Sequence, residues 1–564
     1  MEELALLGDE AVALGALHGG LSAAYGYPGT PSTEILERLI TEYSAGGPLA
    51  AWSTNEKTAL EAALGVSFAG KRALVTMKHV GLNVAADPFM NGALLGIKGG
   101  LVLAVADDPG MHSSQNEQDS RYYAAFARIP CLEPRNQQEA YDLTREAFDL
   151  SERLHVPVLL RLVTRLSHAR AGVRLQAPRA QNPLSKATDK TEWMLLPAYA
   201  RGRYNALLQK QPELLRWSNS HPTNRLELEG RDTASVVITT GLGGNYYDEN
   251  VEDLLALRRS QNRSSLPGRL HIGAYPIPQD LVQRLCQQAQ EVMVIEEGQP
   301  FVEERLRGLL PQGIRIHGKM DGSLPASGEL DPDNVRAALS IPTRPRLTVP
   351  IPEIPGRPPQ LCVGCPHGDS YETIKLAVMG LESVAITSDI GCYALGASSP
   401  YEVPETIVCM GASVNMAKGA ADAGIRYAIG VIGDSTFLHS GITPLIDAVA
   451  ANTPMTLVVL DNSIVAMTGC QDTILPSQRL PILIKALGVD PLHVVELEAK
   501  RPLIGANAEI LKREILYRGL SVVIFKRECI EALKKRKKEA SARSIKTPPS
   551  CADPTGESVV GGEK

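Results

Sequence analysis

Asp434, Asn462 and the backbone carbonyl of Ile464 could together hold a hard divalent cation against a phosphate. Mg2+ takes oxygen ligands in a near-octahedral shell and usually keeps phosphate oxygens among them, so one carboxylate, one amide oxygen and one carbonyl are a sensible protein share. Two apolar runs would position these donors. Tyr427 to Ile432 is short, branched and ends in Gly433-Asp434-Ser435, as a buried strand delivering a turn does; Thr456 to Leu460 does the same for Asp461-Asn462. Between them Ile442, Leu445, Ile446 and Val449 recur at helical spacing. The pattern predicts strand, helix, parallel strand, with both acidic turns at one sheet edge. A Gly-Asp turn by itself is equally an ordinary strand end, and the paired spacing is what adds weight.

Thiols form the second set. Of nine cysteines, Cys362, Cys365, Cys392, Cys409, Cys470, Cys529 and Cys551 crowd the last third, while Cys131 and Cys286 stand apart. Cys362-Val363-Gly364-Cys365 reads as a redox motif, half a metal site or two buried thiols. Cys392 follows the apolar run Val384 to Ile386, and Cys529 follows Ser521 to Phe525. In a parallel sheet both would leave strand ends on the side of the acidic turns. Four thiolates suit a [4Fe-4S] cluster. A zinc site and small buried hydrophobes are the alternatives. Cys409, in a loop entering a helix, reads as core.

At 564 residues the chain has room for about three domains. With 44% hydrophobic and 21% charged residues it can build buried cores, and a net charge of -6 gives no reason to expect nucleic acid. No apolar run approaches the ~20 residues that span a bilayer, and MEELALLGDEAVALGAL is acidic rather than signal-like, so a cytoplasmic location with no membrane is expected.

Residues 1–170 alternate helical stretches (Asp9 to His18, Ser32 to Tyr43, Glu56 to Phe68, Gln137 to Arg153) with strand-like runs at 73–76, 101–106 and 156–162. Their turns carry polar groups: Tyr27 to Ser32, with Ser32 as an expected helix cap; Trp52 to Lys57; Met77 to Asn83; Asp107 to Asn116. Glu56 by itself is an ordinary helix-start acid favoured by the helix dipole. Lys78 is as much a solvated charge as a ligand. Residues 171–232 show poor periodicity and read as a connecting segment over the surface. Strands at 235–240, 270–273 and 292–296 make a second α/β domain over 233–341; Gly241-Leu242-Gly243-Gly244 lacks the dinucleotide frame and is rejected. Residues 342–360 are a Pro-rich linker, 361–530 a third domain, and 531–564 a basic helix end with a disordered tail.

The motifs GYPGTPSTE, WSTNEK, MKHVGLNVAADP and ADDPGMHSSQNEQDSRYYA, followed in order by GDS, DN and TGCQ, resemble the large (alpha) subunit of indolepyruvate ferredoxin oxidoreductase, from Leu6 to about Glu531. One position departs from the TGGQ segment of the wider 2-oxoacid:ferredoxin oxidoreductases, Cys470 for Gly. The resemblance implies an α/β chain of three domains, with two thiamine diphosphate-binding parallel-sheet domains flanking a transketolase-C-like one. Glu56 matches the glutamate that hydrogen-bonds the cofactor's aminopyrimidine, and Asp434, Asn462 and Ile464 match the Mg2+ site. Gly433, Ser435, Thr468, Gly469, Asp389 and His367 are further cofactor-binding candidates. Thr30 resembles a residue touching the oxo acid end; His79 and His112 are candidates for the substrate carboxylate or proton relay, against the plainer reading of loop histidines held by backbone bonds. Glu296-Glu297-Gly298-Gln299-Pro300 matches the middle domain, with packing and subunit contact as its role. Thiols at similar places hold a [4Fe-4S] cluster in pyruvate:ferredoxin oxidoreductases, and Cys529 resembles the fourth.

The implied activity is oxidative decarboxylation of aryl 2-oxo acids to acyl-CoA, in company with a smaller gamma-type (beta) subunit, as a homodimer or dimer of heterodimers. The family's ferredoxin-like domain with two CxxCxxCxxxCP runs has no counterpart in KKRKKEASARSIKTPPSCADPTGESVVGGEK. Electrons then pass to ferredoxin or another acceptor, or through clusters of another subunit. A non-oxidative decarboxylase or carboligase and a non-catalytic partner subunit are the alternatives.

Overall fold

The structure, a computed structural model, describes residues 3–343 and 360–546. All but the ends of the expected Pro-rich linker lie outside the described residues, as do residues 547–564 with Cys551. The chain divides into two compact units, Met1–Pro355 and Gly356–Lys564.

In the first unit a seven-stranded sheet runs in the order Ala274–Tyr275, Cys131–Leu132, Val158–Val163, Leu101–Asp107, Ala73–Lys78, Ala23–Gly26, Leu49–Trp52. All neighbours are parallel except Ala274–Tyr275 on Cys131–Leu132. Leu101–Asp107 is buried along its whole length, as a central parallel strand covered on both faces must be. A five-stranded sheet follows: Arg315–His317, Glu291–Ile295, Asp232–Thr240, Pro267–Ile272 and the antiparallel edge Arg225–Glu227. One hydrophobic core serves both sheets. The chain changes sheet at Gly273, whose carbonyl accepts from Glu133 N at 2.7 Å.

Segment 171–232 is more ordered than its periodicity predicts. Arg170–Arg174 pairs antiparallel with Glu3–Leu7, and Pro197–Ser220 is a helix begun by a proline in its first turn. That helix buries only Leu207, Leu214 and Ser218, a stripe too thin to register as an amphipathic face. Ser32 stands at the N-cap as expected, but its side chain makes no capping hydrogen bond. The helix spans Thr33–Ser44, and the Ser32 hydroxyl donates back to the Gly29 carbonyl.

The interior of this unit holds a buried ion network. Arg161 Nε meets Asp107 Oδ2 at 2.6 Å and its Nη1 meets Glu133 Oε1 at 2.5 Å; Arg121 grips Asp119 and reaches Glu296 at 3.0 Å. Arg121 and Arg161 also donate to the Glu297 carbonyl. Burial, against the pull of Arg121, pushes Glu296 up to about 7, and burial does the same to Glu297. For Asp119 burial acts upward, but Arg121 and Arg161 win and hold it down at about 2. Glu296 and Glu297 therefore pack inward within the unit, both 1% exposed, in keeping with the packing role expected of this segment.

The second unit is a six-stranded sheet, parallel throughout: Thr406–Ile407, Val384–Ser388, Tyr427–Gly433, Met455–Asp461, Ser521–Lys526, Val494–Glu498. A hydrophobic core lies on each face. Because every strand runs one way, the residues that follow them, Asp389, Asp434, Asn462 and Cys529, all emerge at one edge. One expectation is corrected: Cys409 is exposed, because it precedes the helix Ala412–Asp422 in a surface turn. The expected basic helix end is Ile530–Lys546: Ala532 packs with Cys529 and Ile464, and Lys535 Nζ donates to the Gly469 carbonyl at 3.0 Å.

Candidate functional site

Each unit gathers candidate residues at the carboxyl ends of its parallel strands. In the first, the strands Ala23–Gly26, Leu49–Trp52, Ala73–Lys78 and Leu101–Asp107 lead to Thr30, Glu56, Lys78 and the loop 108–116. Asn55 caps the helix Glu56–Phe68 by accepting from Thr58 N at 2.9 Å, which fixes Glu56 as the first helical residue; it is 5% exposed. A Cβ on Gly81 would come within 2.5 Å of Glu56 Oε1, so the glycine makes room for the carboxylate.

His79 is buried, with Nε2 3.1 Å from the Asn116 carbonyl and Nδ1 without a partner. An orphaned buried ring nitrogen beside Glu56's neighbour Gly81 is the kind of polar vacancy that a heteroaromatic cofactor ring suits. Lys78 is half-buried, its stem packed under Gly29 and its ammonium donating to the Ser113 carbonyl at 2.7 Å. Burial draws it down to about 8, while Asp108 and Glu56 act in the other direction. Ser113 Oγ in turn donates to the Thr30 carbonyl at 3.2 Å. Asp108 fastens this loop by accepting from Ser113 N, Ser114 Oγ and Thr164 Oγ1. Thr30, Glu56, Lys78 and His79 thus share one edge. His112 does not join them; it is exposed and faces Glu329 at 3.4 Å.

In the second unit the register Gly433↔Leu460 sets the two acidic turns side by side. Asp434 accepts from Ser435 N and from Ser463 N, each at 2.8 Å. Asp461, which the sequence reading passed over for Asn462, accepts from the same Ser463 N at 3.1 Å and from Ser477 Oγ. Burial, then the neighbouring Asp461, drives Asp434 well above the ordinary carboxylate range. Neither acid has a Lys or Arg ion-pair partner among the described residues. Two buried carboxylates sharing one amide, at the rim where a diphosphate would sit, are the donor chemistry a hard cation fits.

Asn462 Oδ1 accepts from Ile464 N at 3.1 Å, and its Nδ2 lies 3.2 Å from His367 Nε2. Burial lowers His367 to about 4, so the ring is neutral. Burial raises Asp389 to about 6 against hydrogen bonds from Ser413 and Tyr393. Tyr393, unmarked in the sequence, wedges beneath Gly391 and Gly433, where a Cβ would meet its ring at 2.3 and 2.6 Å. Thr468 and Gly469 form the turn of a hairpin, Ile464–Val465 on Gln471–Asp472, with Thr468 Oγ1 donating to Gln471 at 2.6 Å.

Cys362, Cys365, Cys392, Cys470 and Cys529 are free thiols close enough to influence one another. Burial first, then Cys365, Cys529, Cys362 and Cys470, push Cys392 up to about 12. Among the described residues, no group of three or more His, Cys, Asp or Glu side chains is arranged to hold a metal ion. No helix among the described residues is long and apolar enough to cross a membrane.

Two family models match. Residues 14–204 fit the thiamine diphosphate-binding domain of pyruvate flavodoxin/ferredoxin oxidoreductases, and residues 389–483 fit the C-terminal TPP-binding domain of thiamine pyrophosphate enzymes. Together with the parallel sheets they define a thiamine diphosphate-dependent 2-oxoacid oxidoreductase subunit. The indolepyruvate oxidoreductase subunit IorA of Archaeoglobus fulgidus is 38% identical, covering 94% of this chain and 86% of its own; that of Methanothermobacter thermautotrophicus is 37% identical, with 94% and 87% covered. The chain belongs to this IorA family. Ketoisovalerate oxidoreductase subunit VorB of the latter organism matches 27% of the chain at 28% identity. A 2-oxoglutarate:ferredoxin oxidoreductase structure from Magnetococcus marinus gives a TM-score of 0.46 at 15% identity, over 60% of this chain and 65% of that one.

Proposed function

We propose that the chain oxidatively decarboxylates aryl 2-oxo acids of the indolepyruvate type, the acyl group passing to coenzyme A and two electrons to ferredoxin or a similar acceptor. The observation that carries this is the buried Asp434 and Asp461 pair, which lacks a protein cation at the edge where Asn462 and Ile464 also emerge. Asp434, Asn462 and the Ile464 carbonyl hold Mg2+. Gly433, Ser435, Thr468, Gly469, Asp389 and His367 border the diphosphate. Thiamine diphosphate, when bound, supplies the nucleophilic carbon and the electron sink that decarboxylation of a 2-oxo acid requires. Glu56 holds a proton at the aminopyrimidine; Thr30 and His79 border the substrate. The smaller gamma-type subunit is the partner, in a dimer of heterodimers or a homodimer, and domain limits at 170, 232, 341 and 360 separate the working parts.

Cys362, Cys365, Cys392 and Cys529 are the ligands for one [4Fe-4S] cluster in this reading. A non-oxidative decarboxylase or carboligase is the second reading, in which the enamine is protonated or attacks an aldehyde instead of giving up electrons. Anaerobic purification with the partner subunit, followed by iron and sulfide analysis and EPR, should give about four irons per chain at the quartet, lost in Cys392→Ser. Iron-free complexes that still release carbon dioxide would favour the second reading. Glu56→Gln should abolish decarboxylation by either route.

A further inference from the structure

We propose that Lys78 seats the carboxylate of the 2-oxo acid, an assignment that rests on the function above. Three cationic candidates stand in or near the first unit's loops, and the structure separates them. His112 faces outward to Glu329, and His79 commits Nε2 to Asn116 and keeps one ring nitrogen, Nδ1, for any other partner. Lys78 has an ammonium with three donors, of which one is used, on the Ser113 carbonyl. No carboxylate stands within ion-pair distance of it among the described residues. The charges acting on it, Asp108 and Glu56, are both engaged elsewhere: Asp108 is tied to Ser113, Ser114 and Thr164, and Glu56 is packed against Gly81.

The stem is packed on one side by the Tyr27–Thr30 loop. A Cβ on Gly29 would lie 3.1 Å from Lys78 Cδ, so the side chain is pressed along the Tyr27–Thr30 loop toward Thr30 and Ser113. A small anion arriving between Thr30 and Glu56 finds two unspent donors there. A single ammonium is also the right strength for the task. The carboxylate loses its charge as it leaves as carbon dioxide, so a tighter, bidentate grip on the ground state would oppose the step it serves.

The test uses the whole chain reconstituted with its partner subunit, thiamine diphosphate and Mg2+, with phenylpyruvate as substrate, coenzyme A as acyl acceptor and ferredoxin or a one-electron dye as electron acceptor. Lys78→Met should raise KM about ten- to a hundredfold with a smaller change in kcat. The dissociation constant for thiamine diphosphate, measured by calorimetry, should not move. In the wild type kcat/KM should fall above about pH 8 as the ammonium loses its proton, and Lys78→Arg should restore KM and remove that alkaline limb. An unchanged KM in Lys78→Met, or a parallel loss of cofactor affinity or of thermal stability that Lys78→Arg does not rescue, would overturn the assignment. A wild-type complex that binds no thiamine diphosphate overturns the proposed function first, and the lysine's role with it.

Discussion

Both units bury carboxylates, and they treat them in opposite ways. In the first, Asp107, Asp119, Glu133 and Glu296 are met by Arg161 and Arg121, so the protein brings its own counterions. In the second, Asp434 and Asp461 face each other over one shared amide, and neither is ion-paired to an arginine or lysine among the described residues. The first arrangement is closed and joins two sheets over a common core. The second brings no counterion of its own, and in the metal-free chain the raised Asp434 meets the cost by favouring its protonated form. The difference separates charge that builds a fold from charge that waits for a ligand, and burial alone would not have distinguished them.

The contrast can be broken most sharply at Arg161. Arg161→Met strands Asp107 and Glu133 and should cost about 3–5 kcal/mol in urea unfolding, whereas Asp434→Asn should leave the metal-free chain as stable as before or more so. If the two variants lose stability equally, the two regions are not different in kind. Ligand response is the next test. Mg2+ with thiamine diphosphate should raise the melting temperature of the wild type by a few degrees, and Asp434→Asn should show no such shift. A response that survives the substitution would place the cation elsewhere.

The smallest effect lies in pH. Glu296 and Glu297, raised to about 7, bind more protons folded than unfolded between roughly pH 4.3 and 7, so their contribution to stability falls as pH rises through that window. Asp119, lowered to about 2, contributes above roughly pH 3.9 and loses its contribution as pH falls toward 2. Denaturation of the metal-free chain from pH 5 to 7.5 should show declining stability, with a shallower decline in Glu297→Gln. A rise across that range would contradict the protonated network.

What could be seen in the sequence followed from how loudly each element speaks. Tyr427–Gly433 and Met455–Asp461 are apolar, branched and cut off by polar turns, and they are strands within a residue of where those turns predict. Ala23–Gly26 and Leu49–Trp52 are four-residue strands rich in alanine, silent to any hydrophobic pattern, although they deliver Thr30 and Glu56. The thiamine diphosphate class was legible because its turns come in order, each at the end of a run. Asp461 and Tyr393 were not, since one acquires its meaning from the register of adjacent strands and the other from two glycines it underpins. Lys78 was undecided for the same reason, because neither its burial nor its lack of an acid partner is a property of neighbouring residues.

The one-way sheet of the second unit also divides labour between its two rims. Left-handed turn residues with open space around them, Gly380 and Gly424, and the positive-φ Ser383 and Asn452, cluster just before the amino ends of its strands. Chain length can drift at that rim by insertion or deletion without disturbing the opposite one, where Asp389, Asp434 and Asn462 emerge. A lineage of such subunits is thereby free to acquire new surfaces on one side while its reaction stays under constraint on the other.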